Sequence, residues 1–446
     1  TNQVDALVQD ANGNAITGAA VVFSSTNGAD VIVPTMNTGV NGVASTLLTH
    51  TVAGTSNVVA TVDTVNANID TTFVAGAVAT ITLTTPVNGA VADGANSNSV
   101  QAVVTDSGGN VVTGATVVFS SSNATAQITT VIGTTGADGI ATATLTNTVA
   151  GTSNVVATID TVNANIDTTF VPGAVATITL TTPVNGAVAN GADSNSVQAV
   201  VSDSEGNPVT GATVVFSSSN ATAQITTVIG TTGADGIATA TLTNTVAGTS
   251  NVVATIGSIT NNIDTAFVAG AVATITLSVP VNDATADGAD TNQVDALVQD
   301  ANGNAITGAA VVFSSTNGAD IIVPTMNTGV NGVASTLLTH TVAGTSNVVA
   351  TIGSITNNID TTFVPGAVAT ITLTTPVNGA VADGTDSNSV QAVVSDSEGN
   401  AVAGAAVVFS SANATAQITT VIGTTGVDGI ATATLTNTVA GTSNVV

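Results

Sequence analysis

The sequence repeats itself almost word for word at the interval of a small domain. Asn-Val-Val-Ala-Thr begins at Asn57, Asn154, Asn251 and Asn347, and Asn444 opens the string again, in steps of 97, 97, 96 and 97 residues. Phe23, Phe119, Phe216, Phe313 and Phe409 keep the same step. Solenoid units of about 20–45 residues cannot bury a core alone and must stack. A unit of this longer period can bury its own, so the chain reads as an array of self-contained domains. A longer period lies above the first: Thr1–Val59 nearly duplicates Thr291–Val349, a step of 291 − 1 = 290 residues, or three domains.

The units run 1–74, 75–171, 172–268, 269–364 and 365–446. Thr1 aligns with Ser97 and Val446 with Val156, so the first unit is expected to lack its opening strand and the last its closing strand. There is no initiator Met and no signal peptide, which reads as a piece internal to a longer protein.

The apolar residues are Val, Ala, Ile and Leu with nine Phe and no Trp or Tyr, and Thr, Ser, Asn and Gly supply most of the rest. Such β-branched and turn-forming residues argue for an all-β fold. Mean hydropathy is positive, +0.51, yet no apolar run is long enough to cross a membrane as a helix. The charge balance excludes more. There are 27 acidic residues and no Lys or Arg. Nucleic acid is excluded as a partner, because displacing phosphate counterions needs cations. Lys–Asn isopeptide bonds are excluded for want of Lys. Zero Cys removes disulfides, thiolate zinc sites and thiol catalysis together.

The unit 75–171 shows the pattern. Val78–Leu83 alternates apolar and polar residues, the period of a half-buried strand. Pro86–Ser97 is a loop rich in Gly, Asn and Asp. Ser99–Thr105 puts Val100, Ala102 and Val104 on one face, and Gly114–Ser121 does the same with Val117 and Phe119. Ala126–Ile132 follows, then the Asp138-Gly139 turn. Ile140–Thr146 sets Ala141, Ala143 and Leu145 against Ile140, Thr142 and Thr144. Asn154–Ile159 and Ile166–Val171 close the unit. Seven short strands separated by turn signals fit a sandwich of immunoglobulin type.

These residues also carry a family resemblance. Ala79-Thr-Ile-Thr-Leu83, Gly89-Ala-Val-Ala-Asp-Gly94, Val103-Val-Thr-Asp106, Gly114-Ala-Thr-Val-Val-Phe119, Asp138-Gly-Ile-Ala-Thr-Ala-Thr-Leu145 and Val149-Ala-Gly-Thr152 together resemble the bacterial Ig-like domain, group 1, in every unit of the chain. That family builds the stalks of intimin- and invasin-type surface adhesins. The resemblance implies an extracellular rod of tandem Ig-like β-sandwiches that holds a binding tip away from the cell.

Only four residues, Val-Ala-Gly-Ala, separate Phe73 from Val78, and equivalent joints follow Phe170, Phe267 and Phe363. Linkers this short cannot act as flexible coils. Ala75, Pro172, Ala269 and Pro365 alternate at the joints, and Pro is expected to stiffen its own. Calcium is the one cofactor the acids leave open, since it needs six to eight oxygens. One place is the recurring turn at Asp10, Asp106, Asp203, Asp300 and Asp396, whose plain alternative is an Asx turn. Another is the joint, where Asp70, Asp167, Asp264 and Asp360 precede the linker and Asp93, Asp287 and Asp383 lie in a later loop. Asn190 replaces the acid in one repeat, and Asp63 and Asp160 give way to Gly257 and Gly353. The joint is therefore expected to hold by packing and hydrogen bonds.

His50 and His340 occupy one loop position where other units have Asn147, Asn244 and Asn437, and read as surface residues. Asn123-Ala-Thr125, Asn220-Ala-Thr222 and Asn413-Ala-Thr415 match the N-glycosylation pattern, a weak match in so Thr-rich a chain. Acidic neighbours such as Asp203 and Glu205 read as solvated turns, and no paired carboxylates or clustered His support catalysis. The expectation is thus a stalk. The alternatives are a biofilm-matrix or extracellular filament whose rods associate laterally, and a repeat that itself binds calcium or a glycan.

Overall fold

A computed structural model describes residues 1–446, apart from the side chains of Thr227 and Thr420. The chain folds into tandem immunoglobulin-like β-sandwiches, with no helix among the described residues. The second repeat shows the arrangement. One sheet orders Val78–Val87, Ser97–Asp106, Ile140–Thr146 and Gln127–Ile132 side by side. The other orders Ala90–Val91, Val162–Val171, Gly151–Ile159 and Val118–Ser121. All neighbours are antiparallel except Ala90–Val91, which runs parallel to Phe170–Val171.

The alternation read from the sequence lands where the core is. Val100, Ala102 and Val104 face Ala141, Ala143 and Leu145 within one sheet, and the opposite sheet adds Phe119, Val155, Ala157 and Phe170. Phe119 is 7% exposed, a core anchor. Two local features depart from the reading. The opening segment serves both sheets, and the short Ala90–Val91 strand makes an eighth. Buried Asn98 fixes this crossing, accepting from Ala90 N–H (2.9 Å) and donating to Thr169 O (3.0 Å).

The closing strands are also longer than read, forming one continuous hairpin from Gly151–Ile159 to Val162–Val171. Its two-residue turn puts Asp160 at φ 51°, and Asp63, Gly257 and Gly353 hold the same left-handed conformation at 51°, 56° and 58°. The exchange of Asp for Gly thus reports a backbone requirement that both residues tolerate better than a β-branched one would.

Ser97–Asp106 sets the length of a unit: 10 residues at about 3.3 Å each reach roughly 30 Å. At one end lie the linker from the previous repeat and the turn after Asp106. At the other lie Ala92 and the loop after Thr146. Because these ends are opposite poles of the sandwich, successive repeats join head to tail as an elongated rod.

Candidate functional site: the joint between repeats

The joints are built by one five-residue turn, Asp-x-x-Gly-Asn, which occurs in all five repeats: Asp10–Asn14, Asp106–Asn110, Asp203–Asn207, Asp300–Asn304 and Asp396–Asn400. The Gly makes the turn, with φ of 82° at Gly109 and 89° at Gly206. The first repeat makes the same turn. Asp10 accepts from the backbone of Asn12 and Asn14 and from the Asn14 amide, each at 2.9 Å. These bonds lie wholly within the turn.

Between the second and third repeats, Asp203 and Asn207 divide the work. Asp203 Oδ1 accepts from the N–H groups of Glu205 (3.1 Å) and Asn207 (2.8 Å), holding the turn. Asp203 Oδ2 accepts from Asn207 Nδ2 (2.9 Å) and from the linker N–H of Gly173 (2.8 Å), which ties the linker to the body of the repeat. Asn207 then reaches across the joint in both directions. Its Oδ1 accepts from Ala150 N–H (2.7 Å), and its Nδ2 donates to Thr148 O (3.1 Å) and, more weakly, to Ala92 O (3.4 Å). Asp203 and Asn207 are 1% and 5% exposed, so these bonds are made away from water and replace solvation that both sides have lost.

The same clamp recurs at every joint. Gly76, Gly270 and Gly366 donate to Asp106, Asp300 and Asp396 at 2.8, 2.8 and 2.9 Å. Ala53, Ala247 and Ala343 donate to Asn110, Asn304 and Asn400 at 2.8, 2.7 and 2.8 Å. Those amides return a bond to Thr51, Thr245 and Thr341 carbonyls at 2.9, 3.0 and 3.0 Å. The receiving loop is always Thr-Val-Ala-Gly. Joints with Pro172 or Pro365 and joints with Ala75 or Ala269 share this geometry, so proline is not what defines it.

The clamp carboxylates are held in their charged form. The Asn110 side chain, then the N–H groups of Gly76 and Asn110, bring Asp106 down to about 2. At Asp203, Asp300 and Asp396 burial pushes upward, but bonds from Asn207, Asn304 and Asn400, the linker glycine and the turn outweigh it, leaving each below the usual carboxylate value. Asp203 is therefore not a solvated turn residue, as its place beside exposed Glu205 suggests. It is buried and structural.

The joint acids named from the sequence lie elsewhere. Asp70, Asp167, Asp264 and Asp360 sit exposed on the closing hairpins, each accepting from the Asn directly opposite: Asn57, Asn154, Asn251 and Asn347, at 2.7 to 2.8 Å. Asp93, Asp287 and Asp383 cap loops by accepting backbone N–H groups two and three residues on. Asn190 does the same through its Oδ1 at 2.8 Å, which explains why an amide replaces the acid. In the second repeat Phe170 and Val171 run parallel to Ala90 and Val91, so Asp167 lies three residues before that register and Asp93 two residues after it, at opposite ends of the contact. Among the described residues no three His, Asp or Glu converge as a metal site.

His50 and His340 are half-buried rather than free on a loop, edge-on to Phe73 and Phe363 with ring centroids 5.6 and 5.8 Å apart. Where Asn147 and Asn244 stand instead, they donate to the buried hydroxyls of Ser153 and Ser250 at 3.3 Å. In the His repeats the matching hydroxyls, Ser56 and Ser346, find no partner. The sequons are likewise structural: Asn123 and Asn220 donate to Ser153 and Ser250 and accept from Thr125 and Thr222.

Among solved structures, the chain is similar to the Escherichia coli adhesin FdeC, with 22% identity and a TM-score of 0.49 over 65% of this chain and 99% of that one. It is similar to invasin, a bacterial integrin-binding protein, with 23% identity and a TM-score of 0.43 over 85% and 78%. Yersinia pseudotuberculosis InvD gives 21% identity and a TM-score of 0.45 over 64% and 96%. No curated protein matches the chain. The sequence profile of one family matches five times, over residues 1–74, 80–171, 177–268, 274–364 and 370–446. Those matches leave out only 75–79, 172–176, 269–273 and 365–369, and the chain belongs to the bacterial Ig-like domain (group 1) family.

Proposed function

We propose that this chain is a stiff spacer: part of the stalk of a large bacterial adhesin, at the cell surface or secreted, that holds a binding tip away from the cell. The observation that carries the reading is the clamp, repeated with the same atoms at four joints. An array that served only to multiply binding sites would have no need to fix each unit against the next. Here each linker is tied down by a buried carboxylate, and each pole is gripped by a two-way amide. The role is mechanical rather than catalytic, with neighbouring repeats of the same chain as the first partners.

Units that each advance roughly 35–45 Å give a rod on the order of 200 Å. Small-angle scattering of the whole chain, with and without a calcium chelator, tests this. The expected result is a rod of that length in both conditions, because the clamp draws on amides and backbone groups. A compact particle, or a rod that becomes floppy on chelation, would overturn the reading, and the second outcome would make calcium the source of stiffness. Saturable binding of a glycan by each repeat would move the chain to the class of binding modules.

A further inference from the structure

The repeats differ at one sheet edge, and the difference bears on how rods meet one another. In the second, third and fifth repeats the same six residues, Gln-Ile-Thr-Thr-Val-Ile, stand at 127–132, 224–229 and 417–422. Each segment is the outermost strand of its four-stranded sheet. One side pairs with the strand inside it, and the other leaves alternate N–H and C=O groups unpaired, as any sheet edge does. Most of Gln127–Ile132 is exposed, including Val131 and Ile132 at 60% and 47%. No charged residue occurs from Ser107 to Ala137. Six uncharged residues of high β-propensity, without Gly or Pro, are what strand-to-strand self-association requires.

The first and fourth repeats are built differently at the same edge. Their outer strands shrink to two residues, Asp30–Val31 and Asp320–Ile321. Each opens with a carboxylate, and Pro34 or Pro324 follows within a few positions. A short strand, an edge charge and a proline are the devices by which sheets avoid pairing with other chains. At this one edge the array thus shields two repeats and leaves three open.

We propose that the open edges are a lateral interaction surface whose partner is a second copy of this chain, pairing edge to edge in antiparallel fashion. Self-pairing fits because an identical segment is its own complement, and an isologous contact needs one patch only. Charge selects the place. Two copies that each carry −27 repel over most of their surfaces, and no Lys or Arg exists to draw them together, but these edges bring no charge against charge. A bulge interrupts each edge, between Thr130 and Ile132, between Ile225 and Thr227 and between Thr420 and Ile422, and keeps the new ladder short. Single contacts are therefore short; antiparallel rods set the second repeat of one copy against the third of the other and the reverse, so two contacts act together. The inference does not depend on a tip, so its failure and that of the stalk reading are separate.

The test uses the full chain in sedimentation velocity and small-angle scattering across a concentration series. The expected result is a reversible species with doubled mass per unit length, favoured as salt screens the repulsion. Thr129→Lys, Thr226→Lys and Thr419→Lys together place a cation in each open edge and should raise the dissociation constant about tenfold or more. A control adds the same charge at exposed turns, with Val40→Lys, Val330→Lys and Val427→Lys, at 90%, 89% and 94% exposure, and should leave association intact. Melting curves establish that both variants fold. A parent chain that stays monomeric, lengthens end to end instead of thickening, or associates equally after the edge substitutions overturns the proposal. Loss of association in the control does so too, because charge alone would then be the cause.

Discussion

Replacing Asn207 by Asp tests the clamp with almost no change of shape. The substitution exchanges the amide nitrogen for an oxygen. It removes the bonds across the joint to Thr148 O (3.1 Å) and Ala92 O (3.4 Å), together with the one to Asp203 Oδ2 (2.9 Å) inside the repeat, and leaves the one from Ala150 N–H (2.7 Å). The two lost bonds across the joint are worth about 1 kcal/mol each, and the orphaned buried acceptors add a desolvation cost of similar size. The new carboxylate also faces the buried Asp203. The docked joint should lose about 2–4 kcal/mol, a fall of roughly 30- to 700-fold in the ratio of docked to undocked states. With no native Cys, the joint can be measured directly. Val118→Cys and Val215→Cys, 61% and 60% exposed on successive repeats, carry spin labels for pulsed dipolar spectroscopy. The parent should give one narrow distance distribution, and Asn207→Asp a broad one, while each repeat keeps its own melting transition. Asn207→Ala, which removes donor and acceptor without adding charge, should fall between them. A distribution unchanged in both variants would refute the argument and leave packing as the source of stiffness.

Three further outcomes are expected. Asp106 has a folded value below its unfolded one, so its contribution is present above the ordinary 3.8 and is lost as pH falls toward about 2; labels at Val22→Cys and Val118→Cys should report a first joint that is tight at pH 5 and loosens across that window. Phe119→Ala should cost about 3–5 kcal/mol in urea unfolding of its repeat, as for a large side chain removed from a packed core. Asp160→Gly should leave stability near its starting value, since Gly257 and Gly353 already serve at that turn, whereas Asp160→Val should cost about 1–3 kcal/mol for forcing a β-branched residue to positive φ; paired urea melts decide it.

The sandwich was legible in the sequence because burial leaves a period-two trace. Val100, Ala102 and Val104 alternate with polar residues, and their repetition five times over made the faces plain. The hairpin at Asp160 was less legible, because Asn163 and Asn165 interrupt the apolar pattern on a surface sheet that does not need one. The joint was half legible. Its short linker was visible, and so was the recurring turn after Asp106. The role of Asn110 and Asn207 was not, because an Asn after Gly is also an ordinary turn residue, and its partners are backbone groups that leave no mark on side-chain identity. The only sequence signal was the fixed spacing of Asp, Gly and Asn in all five repeats, read together with the Thr-Val-Ala-Gly loop it grips.

A joint of this kind suits a chain without Lys or Arg. Salt bridges between repeats are closed to it, and contacts between exposed charges would weaken with ionic strength. The clamp avoids both constraints. Its one ionised group is buried and satisfied within its own repeat and linker, and what crosses to the neighbour is a neutral amide that donates and accepts at once. Desolvated bonds of that type are screened little by salt. The labelled joint should therefore keep its narrow distance distribution from low salt to 1 M NaCl. A joint that broadens steadily with salt over that range would mean that long-range charge, and not the Asn207 amide, holds the repeats in line.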